Sequence, residues 1–502
     1  MKIENPLVRK LYEYLSLKSK EAYGDPFLMS NVVLCKQETR GRVFETYLAG
    51  EAPMPTSFLL KIKKIIFYLV KNLISFVVCL LVALFHRFSG QSFHVKEGVD
   101  YVLLDTFFVI GHILNEGKFK DIYFPGLSEY LSGRKIEYVY VPKWFGFNHP
   151  LKLFRVFKIL KKSHAPVLTQ FQVLTLADYL DTVRFIFIYP FSVFRFSRKL
   201  ESAYEDKVLY GGLWSALDGV AFESHLRYLF AKRLAALRFG SIKCISWYEN
   251  LVADKNFYRG LRSFSGKTKI IGAQLFIRPH TIMNLLPDQN DIPFNLMPDK
   301  ILVNGPGFRY DFDQVKVSVG PSLRYKHLFE DIHEGSSTGD IILVVLPYWD
   351  HLVRDVLEII RGIDWPKPVK IKFHPSMDCK KYEGVIPEGF SVTSESIQEL
   401  LAQTFMVAGS STGALVEALS LGIPVININK ASSISHDFIP EIGKGIIWGR
   451  AENAEGVRKL IAQFQNSIDK NSTQLKEEGL RIRSFCFSEP TEELIGQAFE
   501  LG

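Results

Sequence analysis

Two short stretches carry the residue types best suited to hold a phosphate. The apolar run Ile371-Lys-Phe373 ends in His374-Pro375, and the run Phe405 to Ala408 ends in Gly409-Ser-Ser-Thr-Gly413. A histidine at a strand end can donate from its ring to a phosphate oxygen, and the proline behind it ends strand pairing and sets the turn. Ser410, Ser411 and Thr412 precede an apolar-periodic helix, Ala414 to Leu421. Hydroxyls and backbone N–H groups there can cap the helix or meet an anion with the same geometry. Glu417 lies in that helix, and His436-Asp437 follow the next apolar run. The stretch Ile371 to Ile428 therefore reads as a sugar-nucleotide site. His374, Pro375, Gly409, Ser410, Ser411, Thr412 and Glu417 would surround the nucleotide, and His436 is assigned to the substrate cleft.

Transfer from such a donor needs a base or nucleophile near the anomeric carbon and stabilisation of the leaving phosphate. Glu249 is the first candidate carboxylate because it follows the strand pattern Ile242 to Trp247. Asp218, in Leu217-Asp-Gly219, is the second, and Asp105, at the end of the strand that starts at Tyr101, is the third. A purely structural carboxylate is an equal reading of each. Asn250, Gln274, Asn304 and Gly305 also stand at strand ends, where ligands of open α/β sheets gather, and are assigned to the substrate cleft. No metal or other cofactor is expected: His374 and a positive helix terminus would do the work of a cation.

Strands and helices alternate in the order that positions these residues. From Asp100 onward the pattern predicts strands at 101–104, 121–124, 136–141, 167–169, 242–247, 269–272 and 300–303. After 311–339, which reads as a linker, further strands are predicted at 341–346, 369–373, 390–392, 405–407, 425–428 and 445–448. This rhythm implies mainly parallel sheets covered by helices. The 502 residues divide into an N-terminal segment (1–95), a first α/β domain (96–330) and a second (331–502) that carries the nucleotide elements.

In this order and context, His374-Pro375 and Ser410-Ser411 resemble the HP and Ser-Ser/Thr motifs of bacterial CMP-sugar transferases, the sialyl- and Kdo-transferring families of the GT-B glycosyltransferase fold. The resemblance implies two Rossmann-like domains with a cleft between them, and CMP held by the histidine and serines. The donor would be a CMP-activated acidic sugar such as Kdo or sialic acid, and the acceptor a bacterial surface glycan or a lipid-linked glycan. Trp247-Tyr-Glu-Asn250, Ile271-Gly-Ala-Gln274 and Val303-Asn-Gly305 are similar to a pattern of bacterial surface-polysaccharide biosynthesis proteins, with Leu275 where that pattern has histidine. Asp218 resembles the base of the acidic-acidic-glycine motif of sialyltransferases, from which Leu217 departs. Glu417 is similar to the ribose-binding glutamate of UDP-GlcNAc 2-epimerases. The resemblance covers roughly residues 240–450. A CDP-glycerol-type polyol-phosphate transferase, a UDP-sugar 2-epimerase and a non-catalytic GT-B scaffold are the alternatives.

The formal charge of +8, with 40 Phe and 21 Tyr, suits an anionic membrane surface. Five scattered cysteines without a CxxC pair fit a reducing compartment, and no signal peptide is expected. From Ile65 to Phe85 the clearly polar residues are Lys71, Asn72 and Ser75. That length can span a bilayer, which takes ~20 apolar residues. Lys61, Lys64, Lys71, Asn72, Ser75 and His86 nevertheless share one stripe of a helical wheel, so a helix lying in the membrane interface ranks ahead of a span and of a soluble core helix. Residues 184–199 mix phenylalanine with arginine and lysine, and read either as a core segment with solvated ends or as a lipid-facing surface. Nucleic acid is not an expected partner. The expected location is the cytoplasmic face of the bacterial inner membrane, held peripherally or monotopically.

Overall fold

The computed structural model describes residues 6–37, 43–50, 57–89, 93–146, 149–200, 203–264, 268–279, 282–330, 339–431 and 436–501. The chain divides into two compact units. The first comprises Met1–Gln274, Met283–Leu302 and Tyr310–Ser318; the second comprises Leu275–Ile282, Val303–Arg309 and Val319–Gly502.

The sheet of the first unit is built from β1 (Tyr101–Val109), β2 (Tyr138–Phe145), β3 (Ile242–Trp247), β4 (Thr268–Gln274), β5 (Lys300–Val303) and β6 (Lys316–Val319). The spatial order is β2-β1-β3-β4-β5-β6. Tyr101 to Leu104 and Phe108 are buried, as expected for a parallel strand covered on both faces. β1 pairs with β2 as far as Val109↔Phe145 but with β3 only as far as Asp105↔Ser246. The two strands thus part where the strand order reverses, the place where sheets of this kind open a crevice.

The second sheet contains β7 (Ile341–Val345), β8 (Val369–Lys372), β9 (Ser391–Val392), β10 (Thr404–Gly409), β11 (Val425–Ile428) and β12 (Trp448–Ala451). Its order is β12-β11-β10-β7-β8-β9, with every pairing parallel. Counted within the unit, this is the 3-2-1-4-5-6 order of a dinucleotide-binding Rossmann sheet, and its switch point lies between β7 and β10. The two central strands are almost wholly buried; β7 is entirely Ile, Leu and Val, and β10 is apolar from Phe405 to Ala408. They approach so closely at their ends that a Cβ on Gly409 would lie 2.3 Å from the Val345 carbonyl oxygen. That contact gives Gly409 a packing reason to be glycine.

Several expectations need correction. Residues 121–124 form no strand: the Asp121 carboxylate accepts from the Tyr123 and Phe124 backbone N–H groups, and this local turn replaces pairing. At 167–169 only Val167 bridges to β2, while Thr169 starts the short helix Gln170–Val173. The last strand lies at Trp448–Ala451, not 445–448. The supposed linker holds β6 and a 3₁₀ helix, Leu323–Phe329; of its Gly-Ser-Ser-Thr-Gly segment, residues 335–338 lie outside the described residues. The aromatic-basic stretch belongs largely to the helix Leu176–Ser197, with Phe185, Tyr189 and Val193 buried and Phe187 and Phe191 exposed.

The helix Phe58–Ser89 is, among the described residues, the one long and apolar enough to cross a membrane. Its polar stripe is split: Asn72 and His86 are buried, Lys61, Lys64 and Ser75 are half-buried, and Lys71 is exposed. Tyr68, Asn72, Cys79, Val82 and His86, at helical spacing, are its buried face. Asn72 donates to the Tyr68 carbonyl at 2.8 Å, and His86 lies 3.3 Å from the Thr169 hydroxyl. A helical wheel locates a stripe but cannot say which side of the helix packs.

Candidate active site

The carboxyl ends of β8, β7, β10 and β11 lie side by side in the second sheet, and each is followed by polar or aromatic residues. His374 follows β8, Tyr348-Trp349 follow β7, Ser410-Ser411 follow β10, and Asn429 and His436 follow β11. The Tyr348 and His374 rings meet edge-on at 5.6 Å, and Trp349 lies 4.3 Å from the His436 ring. The switch point of the sheet is thereby lined by two histidines, two aromatics and the Ser-Ser turn.

The turn is tightly built. Ser411 takes a left-handed backbone (φ +48°), a conformation uncommon for residues other than glycine, which reverses the chain between β10 and the helix Ala414–Ser420. Its Oγ accepts from the His436 backbone N–H at 3.0 Å and lies 3.2 Å from Ser410 Oγ, which donates to Asn429 Oδ1 at 2.9 Å. The two buried hydroxyls thus tie β10 to the chain that follows β11. Thr412 is half-buried, and its Oγ1 accepts a long 3.4 Å bond from the Ala414 N–H. Nearby, Asn427 pairs in register with Gly409 and donates to Asp437 at 3.2 Å, and Arg450 pairs with Asp437. The Asn427 Oδ1 atom is buried and has no hydrogen-bond partner among the described residues.

His374 is exposed, next to Pro375. Its Nδ1 accepts from the Ser376 backbone N–H at 3.3 Å and lies 2.6 Å from the Ser376 hydroxyl. In the neutral ring the proton therefore sits on Nε2, leaving that atom as a donor for a ligand oxygen. Partial desolvation of the ring, and then the Arg324 guanidinium, hold its pKa below the usual histidine value. Arg324 lies in the segment read as a linker, so the sequence pattern missed a cation close to His374. The only available signal was that the segment is too apolar at Leu323, Tyr325 and Leu328 to be a simple linker. Tyr348 and Trp349 were missed too, although their place directly after a buried strand was a legible cue.

His436 is buried, and its pKa is pulled down to about 4, first by burial and then by His351. It is neutral in the folded chain while its unfolded counterpart takes up a proton below about pH 6.5. Folding stability should therefore be level above that pH and fall as pH drops from 6.5 towards 4, with about 2 kcal/mol lost by pH 5. Denaturant titrations between pH 7.5 and 5 should show this slope in the native chain, and His436→Gln should make it shallower by that share, leaving what the other histidines with lowered pKa contribute.

The remaining predicted site residues are placed as follows. Glu417 is half-buried, with its carboxylate 3.3 Å from His327 Nε2. Asn304 is buried: it donates to the Cys486 carbonyl at 3.1 Å, and its own carbonyl accepts from Ser322 at 2.8 Å. A Cβ on Gly305 would meet the Cys486 backbone at 2.3 Å. Asn304 and Gly305 thus seat the end of the helix Ser472–Cys486. In the first unit, Glu249 is half-buried just past β3 and accepts from Trp247 Nε1 at 2.9 Å, and the Trp247 ring meets that of Tyr123 at 4.9 Å. Asn250, with φ +53°, donates to the Asn284 and Leu286 carbonyls, and Gln274 donates to the Leu285 carbonyl at 3.0 Å. Both brace the segment 284–286. Asp218 caps the helix Gly219–Ala235 by accepting from Val220 N–H at 2.9 Å. It stands by the apolar helix, since a Cβ on Gly219 beside it would lie 3.8 Å from the Lys71 and Asn72 side chains.

Asp105 belongs to a buried ionic network. Its carboxylate meets Arg227, Lys143 (3.1 Å) and Ser246 (2.7 Å), while Lys143 also reaches Asp254 (2.6 Å) and the Trp247 carbonyl (2.6 Å). Burial works against the Lys143 ammonium, but Asp105 and Asp254 overcome it and raise its pKa. The other Asp254 oxygen accepts from the Glu249 and Leu251 N–H groups at 3.2 and 3.0 Å. The network therefore holds the loop that carries Glu249.

Among the described residues no group of three or more His, Cys, Asp or Glu side chains is arranged to hold a metal. Asp311-Phe-Asp313 has the spacing of a two-carboxylate metal motif, which the sequence reading passed over. Both carboxylates are exposed in the segment before β6.

No family model and no curated protein sequence matches the chain. Solved structures superpose on it in part. A Staphylococcus aureus MnaA–UDP co-structure covers 80% of this chain and 94% of its own, at 10% identity and a TM-score of 0.44. Acinetobacter baumannii MurG covers 80% and 99%, at 10% identity and 0.41. The wall teichoic acid polymerase TagF with CDPG covers 89% and 97%, at 8% identity and 0.38.

Proposed function

We propose that the chain is a GT-B glycosyltransferase that moves a sugar from a nucleotide donor to a glycan or lipid-linked acceptor of a bacterial surface. The donor we assign is a CMP-activated acidic sugar such as Kdo or sialic acid, and the mechanism needs no metal. One observation carries this reading: His374, Tyr348-Trp349, Ser410-Ser411 and His436 converge at the switch point of a 3-2-1-4-5-6 sheet. The base stacks on the aromatic residues. Asn427 Oδ1, a buried acceptor without a donor, is suited to an exocyclic amine such as that of cytosine. His374 Nε2–H and the Arg324 guanidinium meet the phosphate that leaves with CMP. Glu249, in the first unit, is the carboxylate we assign as base towards the acceptor hydroxyl.

The test is thermal stabilisation by free nucleotides. CMP should raise the unfolding temperature of the full chain, and His374→Ala should abolish that rise while leaving the ligand-free midpoint in place. Equal stabilisation by UDP or GDP, or none by any nucleotide, sinks the CMP assignment. Stabilisation by CDP-glycerol beyond that by CMP turns the assignment to a polyol-phosphate transferase.

A further inference from the structure

The face of the helix Phe58–Ser89 that does not pack on the protein is apolar apart from the exposed basic residues Lys63, Lys71 and Arg87. Leu59, Ile66, Phe67, Val70, Ile74 and Phe88 are each more than half exposed. The helix Leu176–Ser197 lies against it through Tyr68–Tyr189 (5.6 Å) and Phe76–Tyr179 (6.2 Å), and adds Leu180 and Phe191 at 63% and 64% exposure. Soluble monomers seldom leave a contiguous apolar surface of this kind without a partner. A third helix, Pro150–Lys162, packs on its C-terminal half through Phe85–Phe154 (5.8 Å) and His86–Phe157 (4.8 Å). That helix holds five basic residues and no acid, and Lys152, Arg155, Lys158, Lys161 and Lys162 are all exposed.

We propose that these three helices of the first unit form a docking surface for an anionic lipid bilayer. The helix Phe58–Ser89 lies in the plane of the interface with its apolar face among the acyl chains, and the basic helix beside it meets the lipid phosphates. Three features choose this occupant. An apolar strip bordered by a run of positive charge is the pattern that binds acidic headgroups and acyl chains together. A span is disfavoured because Tyr68 to His86 are packed on neighbouring helices, so crossing would draw the five charges of Pro150–Lys162 into hydrocarbon. A second copy of the chain would bring the same positive helix to the contact, where like charges oppose each other. The surface fits the cytoplasmic leaflet of a bacterial inner membrane, which is anionic, and it is independent of which nucleotide the second unit binds.

The test is flotation of the purified full chain with vesicles. It should float with vesicles of phosphatidylethanolamine and phosphatidylglycerol, weakly with phosphatidylcholine, and be released by high salt or alkaline carbonate. Phe67→Asp with Ile74→Asp should reduce binding to either vesicle at least tenfold. Lys152→Ala, Arg155→Ala and Lys158→Ala should each weaken binding to the anionic vesicles alone, roughly fivefold per residue. All five side chains are exposed, so the circular dichroism spectrum and unfolding midpoint should match those of the native chain. Unchanged flotation of Phe67→Asp/Ile74→Asp overturns the proposal. So does resistance to both salt and carbonate, which marks a span, or a lipid-free dimer that binds no vesicle and is broken by those two substitutions.

Discussion

Lys143→Met is expected to destabilise the first unit by about 3 to 5 kcal/mol, a large part of the stability of any domain. The lysine is buried, and its ammonium is shared by Asp105, Asp254 and the Trp247 carbonyl. Removing it leaves two carboxylates facing a single remaining cation, Arg227. An uncompensated charge in a closed interior costs far more than a lost surface ion pair. The effect should be visible in urea unfolding followed by tryptophan emission, because Trp144 and Trp247 flank the network in sequence. Adding Asp254→Asn to Lys143→Met should recover part of the loss by removing one orphaned charge, although the Glu249 loop then loses a charged acceptor. A loss under about 1 kcal/mol, the range of exposed pairs, would show that the interior solvates these groups by other means.

Arg324→Ala should lower kcat by about 10² to 10³, the range seen when a preorganised donor to developing negative charge is removed. The reason is its position: after partial desolvation of the ring, its charge is the second cause that lowers the His374 pKa. Two measurements separate a catalytic part from a structural one. With arginine gone, the His374 imidazole should titrate at a higher pH by NMR. Arg324→Lys should restore charge, and some rate, without restoring the two-pronged grip of a guanidinium. A variant with normal turnover and a raised His374 pKa would assign the phosphate to His374 and the turn alone.

How much of this was legible in the sequence depended on the range of the interaction. Strands β7, β10 and β11 announce themselves because central parallel strands are largely apolar, and each of their predicted spans overlaps the observed one. The edge of the second sheet was placed less well: Trp448–Ala451 is displaced from the apolar run that predicted it, since an edge strand has one partner to fix its register. Residues 121–124 were misread because Tyr and Phe favour strands, whereas the Asp121 carboxylate offers the backbone a local alternative. Asn304 and Gly305 looked like ligand residues by position, yet their neighbour is a helix from the far end of the chain. No local pattern records such a contact.

The sequence by itself determined two α/β halves, a histidine behind one strand, a Ser-Ser turn behind another, and one long apolar helix with a polar stripe. These are properties of short segments, set by side-chain periodicity and turn chemistry. Only the tertiary structure decided that β7 lies between β8 and β10, and therefore that Tyr348 lies beside His374 on one side and Trp349 beside His436 on the other. Parallel strands are joined by long crossovers, so their spatial order is not written in their sequence order. It also decided that Asn72 and His86 point into the protein while Phe67 and Ile74 face outward. Amphipathicity measures a difference between two faces, and only packing gives it a direction.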